Sequence, residues 1–202
     1  MVGLGLIAAL LILDPNLVGL GHGGPNRPQL TPLQDRIVSI AESQLGYRTD
    51  PSDTYCNRYS AFWFSGTTDC DNSNRDEEWC ADFAAWVWHQ AGVSFTYQFI
   101  NGDINSSSAS FYEWGLAHGT WHPFRSNYRP QPGDIAVYGL DPATSTAVHV
   151  AVVTSISPGE RGPNVVNGDG DRTGFSVVET GTDQVFADTG SHQARISGYV
   201  SP

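Results

Sequence analysis

The chain of 202 residues contains no lysine: its 10 basic residues are all arginine, set against 21 acids, for a formal net charge of -11. So acidic a surface repels phosphate. That excludes nucleic-acid binding driven by counterion release and recruitment by an anionic membrane. Charge of either sign is scarce, at 15% of residues, while apolar residues reach 40% and aromatics 11%. This balance excludes a disordered chain and requires a packed core. The length suits one domain with a tail rather than two.

Long apolar runs are also lacking. The stretch VGLGLIAALLIL at 2–13 matches a signal-peptide core but falls short of the roughly 20 residues of a transmembrane helix. No base precedes it, the first arginine is Arg27, and no A-x-A cleavage site follows. An imperfect or truncated export signal is the first reading, a buried helix the second and the remnant of a membrane anchor the third. Residues 14–31, DPNLVGLGHGGPNRPQLT, read as a Gly/Pro-rich linker, so 1–30 is leader and linker and 31–202 is the domain.

Cysteine is sparse, with three residues and no C-x-x-C, which excludes the common zinc fingers. In an exported chain an odd cysteine is left over. A Cys56–Cys70 disulfide would close a loop of about 15 residues, worth about 3 kcal/mol in the chain-entropy model, and would leave Cys80 free. The alternative is three reduced thiols in a cytosolic protein.

TPLQDRIVSIAESQLG begins with Thr31 as N-cap, a proline at the first helical position and Gln34 completing a capping box, and stops at Gly46. Leu33, Ile37, Val38, Ile40, Ala41 and Leu45 predict its buried side. In the next helix Cys80, Phe83, Ala84, Val87, Trp88 and Ala91 recur at helical spacing, and Gly92 supplies the stop. A third helix is predicted at SASFYEWGLAHG, with Ser110 and Glu113 at capping-box spacing and Gly119 at its end. The segment between Cys56 and Cys70 shows no helical period. From Pro130 onward the stretches PQPGDIAVYG, AVHVAVVTSI, NVVNGDGD, GFSVVETG and ARISGYV are β-branched and separated by turn residues. Helices first and strands afterwards predict an α+β fold, N-terminal helices on a C-terminal antiparallel sheet of about five or six strands.

Cys80 falls in the first turn of its helix, where the positive dipole end and unpaired N–H groups favour a thiolate. This placement predicts a thiolate that forms below the ordinary pKa of about 8.5. The preceding acids Asp76, Glu77 and Glu78 are expected in the first turn, facing water. Alone, Cys80 reads as core, since it shares a stripe with Phe83 and Val87. Strand alternation puts His149, Ala151 and Val153 on one face, where the small Ala151 leaves room for a helix. Asn167 and Asp169 share a face of the next strand, and a side-chain oxygen there can fix the imidazole tautomer. The alternative for that stretch is a Gly-rich turn.

The ordered set WCADFAAWVWHQAGV, PGDIAVYG, HVAVVTSI and VVNGDG closely resembles the CHAP domain, the cysteine- and histidine-dependent amidohydrolase/peptidase of the papain-like superfamily. The resemblance covers roughly residues 31–200. It implies that Cys80 is the nucleophile, His149 the base and Asn167 the orienting group. Many members have Glu at that place and Asn two residues on, whereas this chain has Asn167 and Asp169, so either can orient His149. The resemblance further implies a secreted or cell-wall enzyme that hydrolyses an amide bond in the peptide stem of bacterial peptidoglycan through a thioester. No metal or organic cofactor is implied, nor a nucleic-acid partner, and a monomer is expected. The alternative is a catalytically impaired wall-binding module of the same fold. An intracellular thiol transferase is a third reading.

Other signals are weaker. His118 and His122 have zincin spacing, but HGTWH lacks the glutamate and contains a helix-ending glycine, so a loop is expected. DCDNSNRD, with Asp69 and Asp71, resembles part of a calcium loop yet lacks its sixth-position glycine and closing acid. The adjacent Glu77 and Glu78 point to different sides of a helix and cannot flank a glycosidic bond. Trp63, Trp114 and Trp121 are candidates for stacking on sugars, with core as the alternative.

Overall fold

The computed structural model describes residues 29–100, 102–156, 162–170, 176–181, 185–187 and 193–202. The expected leader and linker lie outside them, apart from residues 29 and 30. Helix α1 (Pro32–Ser43) starts as its sequence dictates: Gln34 N–H donates to Thr31 Oγ1 at 3.2 Å and Thr31 N–H to Gln34 Oε1 at 2.8 Å. Ile37 and Ala41 are buried, whereas Leu45, expected on the same side, lies beyond the helix end and is exposed. Arg36 Nε donates to Ala91 O at 3.0 Å, tying α1 to the segment that precedes Gly92.

Strand β1 (Cys56–Asn57) pairs antiparallel with β2 (Arg75–Asp76), and the Cys56–Cys70 disulfide closes the excursion between them, with Cα atoms 5.7 Å apart. Within it lies α2 (Arg58–Trp63), which the missing helical period had argued against. Two features account for it. Asn57 Oδ1 accepts from Ser60 N–H at 2.8 Å, a side-chain N-cap. Tyr59 is fully buried, stacked on Trp79 with ring centroids 5.3 Å apart. One capping residue and one aromatic anchor suffice for a helix too short to display a period.

Helix α3 (Cys80–Ala91) buries Cys80, Phe83, Ala84, Val87, Trp88 and Ala91 as its spacing predicts, and Gly92 ends it at φ 89°. The acids do not form its first turn. Asp76 belongs to β2, and Glu77 is half-buried with its carboxylate accepting from the Ser65 hydroxyl. Helix α4 (Ala109–His118) has Ser108, not Ser110, at its N-cap position, without a side-chain cap bond, and the Ser110 hydroxyl exchanges hydrogen bonds with the Asn105 backbone.

The remaining elements form an antiparallel sheet: β3 (Trp121–Pro123), β4 (Ile135–Tyr138), β5 (His149–Ser155), β6 (Asn164–Gly170), β7 (Val177–Gly181), β8 (Val185–Ala187) and β9 (Gln193–Val200). Among the described residues their order is β3-β9-β4-β5-β6-β7, with β8 paired to β9. The fold is therefore α+β, helices against an antiparallel sheet, as the sequence predicts. Of HGTWH, expected as a loop, His118 ends α4 and Trp121 and His122 belong to the short β3.

Val150, Val152 and Val166 join α1 and α3 in one core, while Ala136, Ala151, Val153, Val165 and Tyr199 form a second core on the other side. Ala151 therefore does not make room for α3, and the valines beside it meet the helix. Room is made by Gly168: a Cβ there would meet the Cβ of Phe83, with Phe83 Cγ at 2.5 Å and Cδ1 at 2.7 Å. Phe83 is fully buried, which contributes about 2 kcal/mol. This close approach sets β6 against the first turns of α3.

Candidate active site

Three elements converge on Cys80, the first residue of α3. From α4, Ser108 Oγ lies 3.2 Å from Cys80 Sγ. From β5, the Val150 backbone N–H favours negative charge on the sulfur. Val150 follows His149 directly, so the start of β5 lies beside the start of α3. His149 is buried, its ring 5.8 Å from that of Tyr138, opposite it in the β4–β5 register.

From β6, Asn167 Oδ1 lies 3.0 Å from His149 Nε2. An amide oxygen accepts, so Nε2 carries the proton and Nδ1 is the nitrogen suited to exchange one with a thiol. Asp169 is placed differently. The β6–β7 register shifts between Asn167 and Gly170, and Asp169 adopts φ 58°, so alternation is broken after Asn167. Its carboxylate turns to the start of α3, accepting from Trp79 N–H at 3.1 Å and from the Ser176 hydroxyl. Ser176 in turn accepts from Trp79 Nε1 at 2.7 Å. Trp79 offers α3 no side-chain cap, so Asp169 supplies the acceptor from across the fold.

The thiol itself departs from expectation. Burial pushes Cys80 up to about 12, and the Asp169 and Glu78 charges add to the rise. The Ser108 hydroxyl and the Val150 N–H act in the opposite direction without cancelling it. The expectation of a thiolate below the ordinary value credited the helix dipole and omitted desolvation, which is larger here because the side chain is only 8% exposed.

Deeper along α3, Asp82 is fully buried. One oxygen accepts from the Tyr97 hydroxyl, while Oδ2 has no hydrogen-bond partner among the described residues, and burial pushes the carboxyl up to about 6 against the lowering effect of the Ser60 and Tyr97 hydroxyls.

The weaker signals disperse. His118 Nδ1 donates to Trp114 O at 2.8 Å at the end of α4, while His122 stacks on Tyr128 from β3. Asp69 accepts from the Thr67 hydroxyl at 2.9 Å. Among the described residues no group of three or more His, Cys, Asp or Glu is placed to hold a metal ion. Trp114 is buried, and Trp63 and Trp121 pack against the core. Among the described residues no helix is long and apolar enough to cross a membrane.

Residues 71–168 match the family model of the CHAP domain. The match takes in just under half of the chain. The match spans Cys80, His149 and Asn167 and ends one residue before Asp169. CHAP domains are a family of papain-like hydrolases, in keeping with the α+β fold. Among solved structures the chain is similar to the structure of NlpC1 from Trichomonas vaginalis, at 11% identity and a TM-score of 0.43, over 90% of this chain and 46% of that one. The chain thus spans less than half the length of that structure. No curated protein matches it.

Sequence reasoning missed Ser108, Val150 N–H and Ser176. Ser108 had a visible signal, since it opens the predicted third helix, but Ser110 took the capping role in that reading. Backbone N–H groups carry no sequence signal, and Ser176 lay unread beside the following strand.

Proposed function

We propose that the protein is a secreted cysteine hydrolase that cleaves an amide bond in the peptide stem of bacterial peptidoglycan. The observation that carries this reading is the 3.0 Å contact between Asn167 Oδ1 and His149 Nε2, one residue from the Val150 amide that favours negative charge on the Cys80 sulfur. A buried imidazole fixed through Nε2 presents Nδ1 as a base. The CHAP match supports a hydrolase, and the Cys56–Cys70 disulfide supports an oxidising compartment.

In the proposed reaction His149 Nδ1 takes the Cys80 proton as the sulfur attacks the carbonyl carbon. The carbonyl π pair moves to oxygen, and backbone N–H groups at the start of α3, that of Cys80 included, hold the oxyanion. Collapse reforms the carbonyl and breaks the C–N bond, the amine leaving with the proton from the imidazolium. Water, deprotonated by the same imidazole, then cleaves the thioester and restores the thiol.

One observation favours a second reading, a wall-binding module with impaired catalysis: burial holds the Cys80 thiol up at about 12. Purified wall incubated with wild type and with Cys80→Ala separates the two. New amino groups released by the wild type alone support the hydrolase. Equal silence with retained wall binding supports the module. Identification of the new N-terminus or sugar end in the fragments then names the bond.

A further inference from the structure

Ser108 is the N-cap of α4, a position where serine ordinarily accepts a hydrogen bond from the backbone of its own helix. Here its side chain makes no such bond. The hydroxyl lies 3.2 Å from Cys80 Sγ, and the residue is 7% exposed. A residue type suited to hold its helix has given its side chain to the sulfur instead.

We propose that Ser108 is a catalytic residue whose hydroxyl donates to the Cys80 sulfur as the thiol loses its proton. This assignment rests on the hydrolase reading above. While the thiol is intact either partner can donate, so the contact is a weak neutral one. As the proton passes to His149 during attack, the sulfur gains negative charge and can only accept, so the Ser108 O–H must be the donor. The bond then becomes charge-assisted and stronger. An interaction that strengthens on the way to the transition state accelerates the reaction, whereas one of constant strength does not. When the sulfur forms its bond to carbon it loses this charge, and the Ser108 O–H keeps its own proton throughout.

The surroundings of the sulfur make such a donor consequential. Asp169 from β6 and Glu78 before α3 disfavour a thiolate, as does burial itself. The Val150 N–H from β5 and the Ser108 hydroxyl from α4 favour it, Ser108 more strongly. His149 from β5 is the proton acceptor in the proposed reaction.

Alkylation of Cys80 by iodoacetamide reads thiolate formation without any substrate, and the Cys56–Cys70 disulfide leaves Cys80 as the reporting thiol. Ser108→Ala should react about tenfold more slowly than wild type, with its pH profile moved to higher pH, while Ser108→Thr, which keeps a hydroxyl, stays close to wild type. Thermal melts of Ser108→Ala should match wild type, because no cap bond is lost. Should Ser108→Ala not fold, Ser108→Gly takes its place, glycine being accepted at N-cap. Wall hydrolysis is followed in parallel, and there Ser108→Ala should lower kcat about tenfold with KM unchanged. Superimposable alkylation profiles overturn the assignment, as does full hydrolysis by Ser108→Ala, or unfolding of both the alanine and glycine variants. Silence of the wild type on wall, with a shifted alkylation profile, counts against the hydrolase reading and leaves the thiol contact standing.

Discussion

Gly168→Ala should damage the site without altering any residue in it. The new Cβ would lie 2.5 Å from Phe83 Cγ, and ordinary contact begins near 3.4 Å, so β6 and α3 must separate by about 0.9 Å. Phe83 is fully buried and cannot swing away. Overpacking of this kind costs about 1–3 kcal/mol, which at this chain length lowers Tm by about 2–12 °C. Asn167 precedes Gly168, and displacing β6 relative to β5 lengthens its 3.0 Å contact with His149, to at most about 3.9 Å if the whole shift falls along it, beyond hydrogen-bond range. A misplacement of about 1 Å can cost about 100-fold in rate, so hydrolysis should fall far more than stability does. Gly170→Ala is the control, two positions along the same strand. Its Cβ would meet Cγ, Cδ and Oε1 of Glu179, a flexible side chain that can give way, so both Tm and rate should stay near wild type. Melting curves and wall hydrolysis of both variants decide the matter. Equal behaviour of the two, or wild-type melting and activity in Gly168→Ala, would refute the claim that this approach positions the site.

Asn167→Ala removes the acceptor from a buried ring N–H and should cost about 1–3 kcal/mol in urea unfolding, whereas Asn167→Asp, by favouring the imidazolium, should move the acid limb of the pH–rate profile to higher pH. An unmoved limb in Asn167→Asp would separate Asn167 from the base. Reduction of Cys56–Cys70, which spans 14 positions, should remove about 3 kcal/mol and lower Tm by about 6–12 °C, and coincident melts with and without reductant would contradict it. Asp82 has its folded pKa raised from 3.8 to about 6, so its stabilising contribution is present below 3.8 and lost as pH rises through about 6. At neutral pH Asp82→Asn should therefore match or exceed wild type, by up to about 3 kcal/mol, with no gain at acid pH. Destabilisation of Asp82→Asn at pH 7 would show that the ionised form is required.

The elements legible in the sequence were those whose signals are local. Thr31 with Gln34, the stripe from Cys80 to Ala91 and the β-branched runs after Pro130 each carry their structure within a dozen residues. What stayed hidden depended on distant partners. Helix α2 is held by Tyr59 against Trp79, and β3 exists because β9 pairs with it. Position 168 reads as one glycine of a turn until Phe83 is set against it. The candidate residues could be named from motif order, but their arrangement could not. The register shift after Asn167 separates its environment from that of Asp169, and no alternation rule anticipates a bulge. The thiol's rise was equally invisible, because desolvation belongs to the fold as a whole.

Asp169 stands between two demands at the start of α3. Its carboxylate satisfies the Trp79 N–H that no local side chain caps, and a carboxylate at a helix N-terminus is favourable. The same charge opposes a thiolate on the next residue. The positive helix end, which in other settings lowers a cysteine's pKa, is thus partly answered before the sulfur can draw on it. A thiol held up at about 12 is protonated at neutral pH. In the proposed reaction the proton must therefore leave during attack and not beforehand. The rate then depends on how well Asn167 holds His149 and on donors that strengthen only as charge develops on sulfur, and the helix dipole becomes a secondary influence.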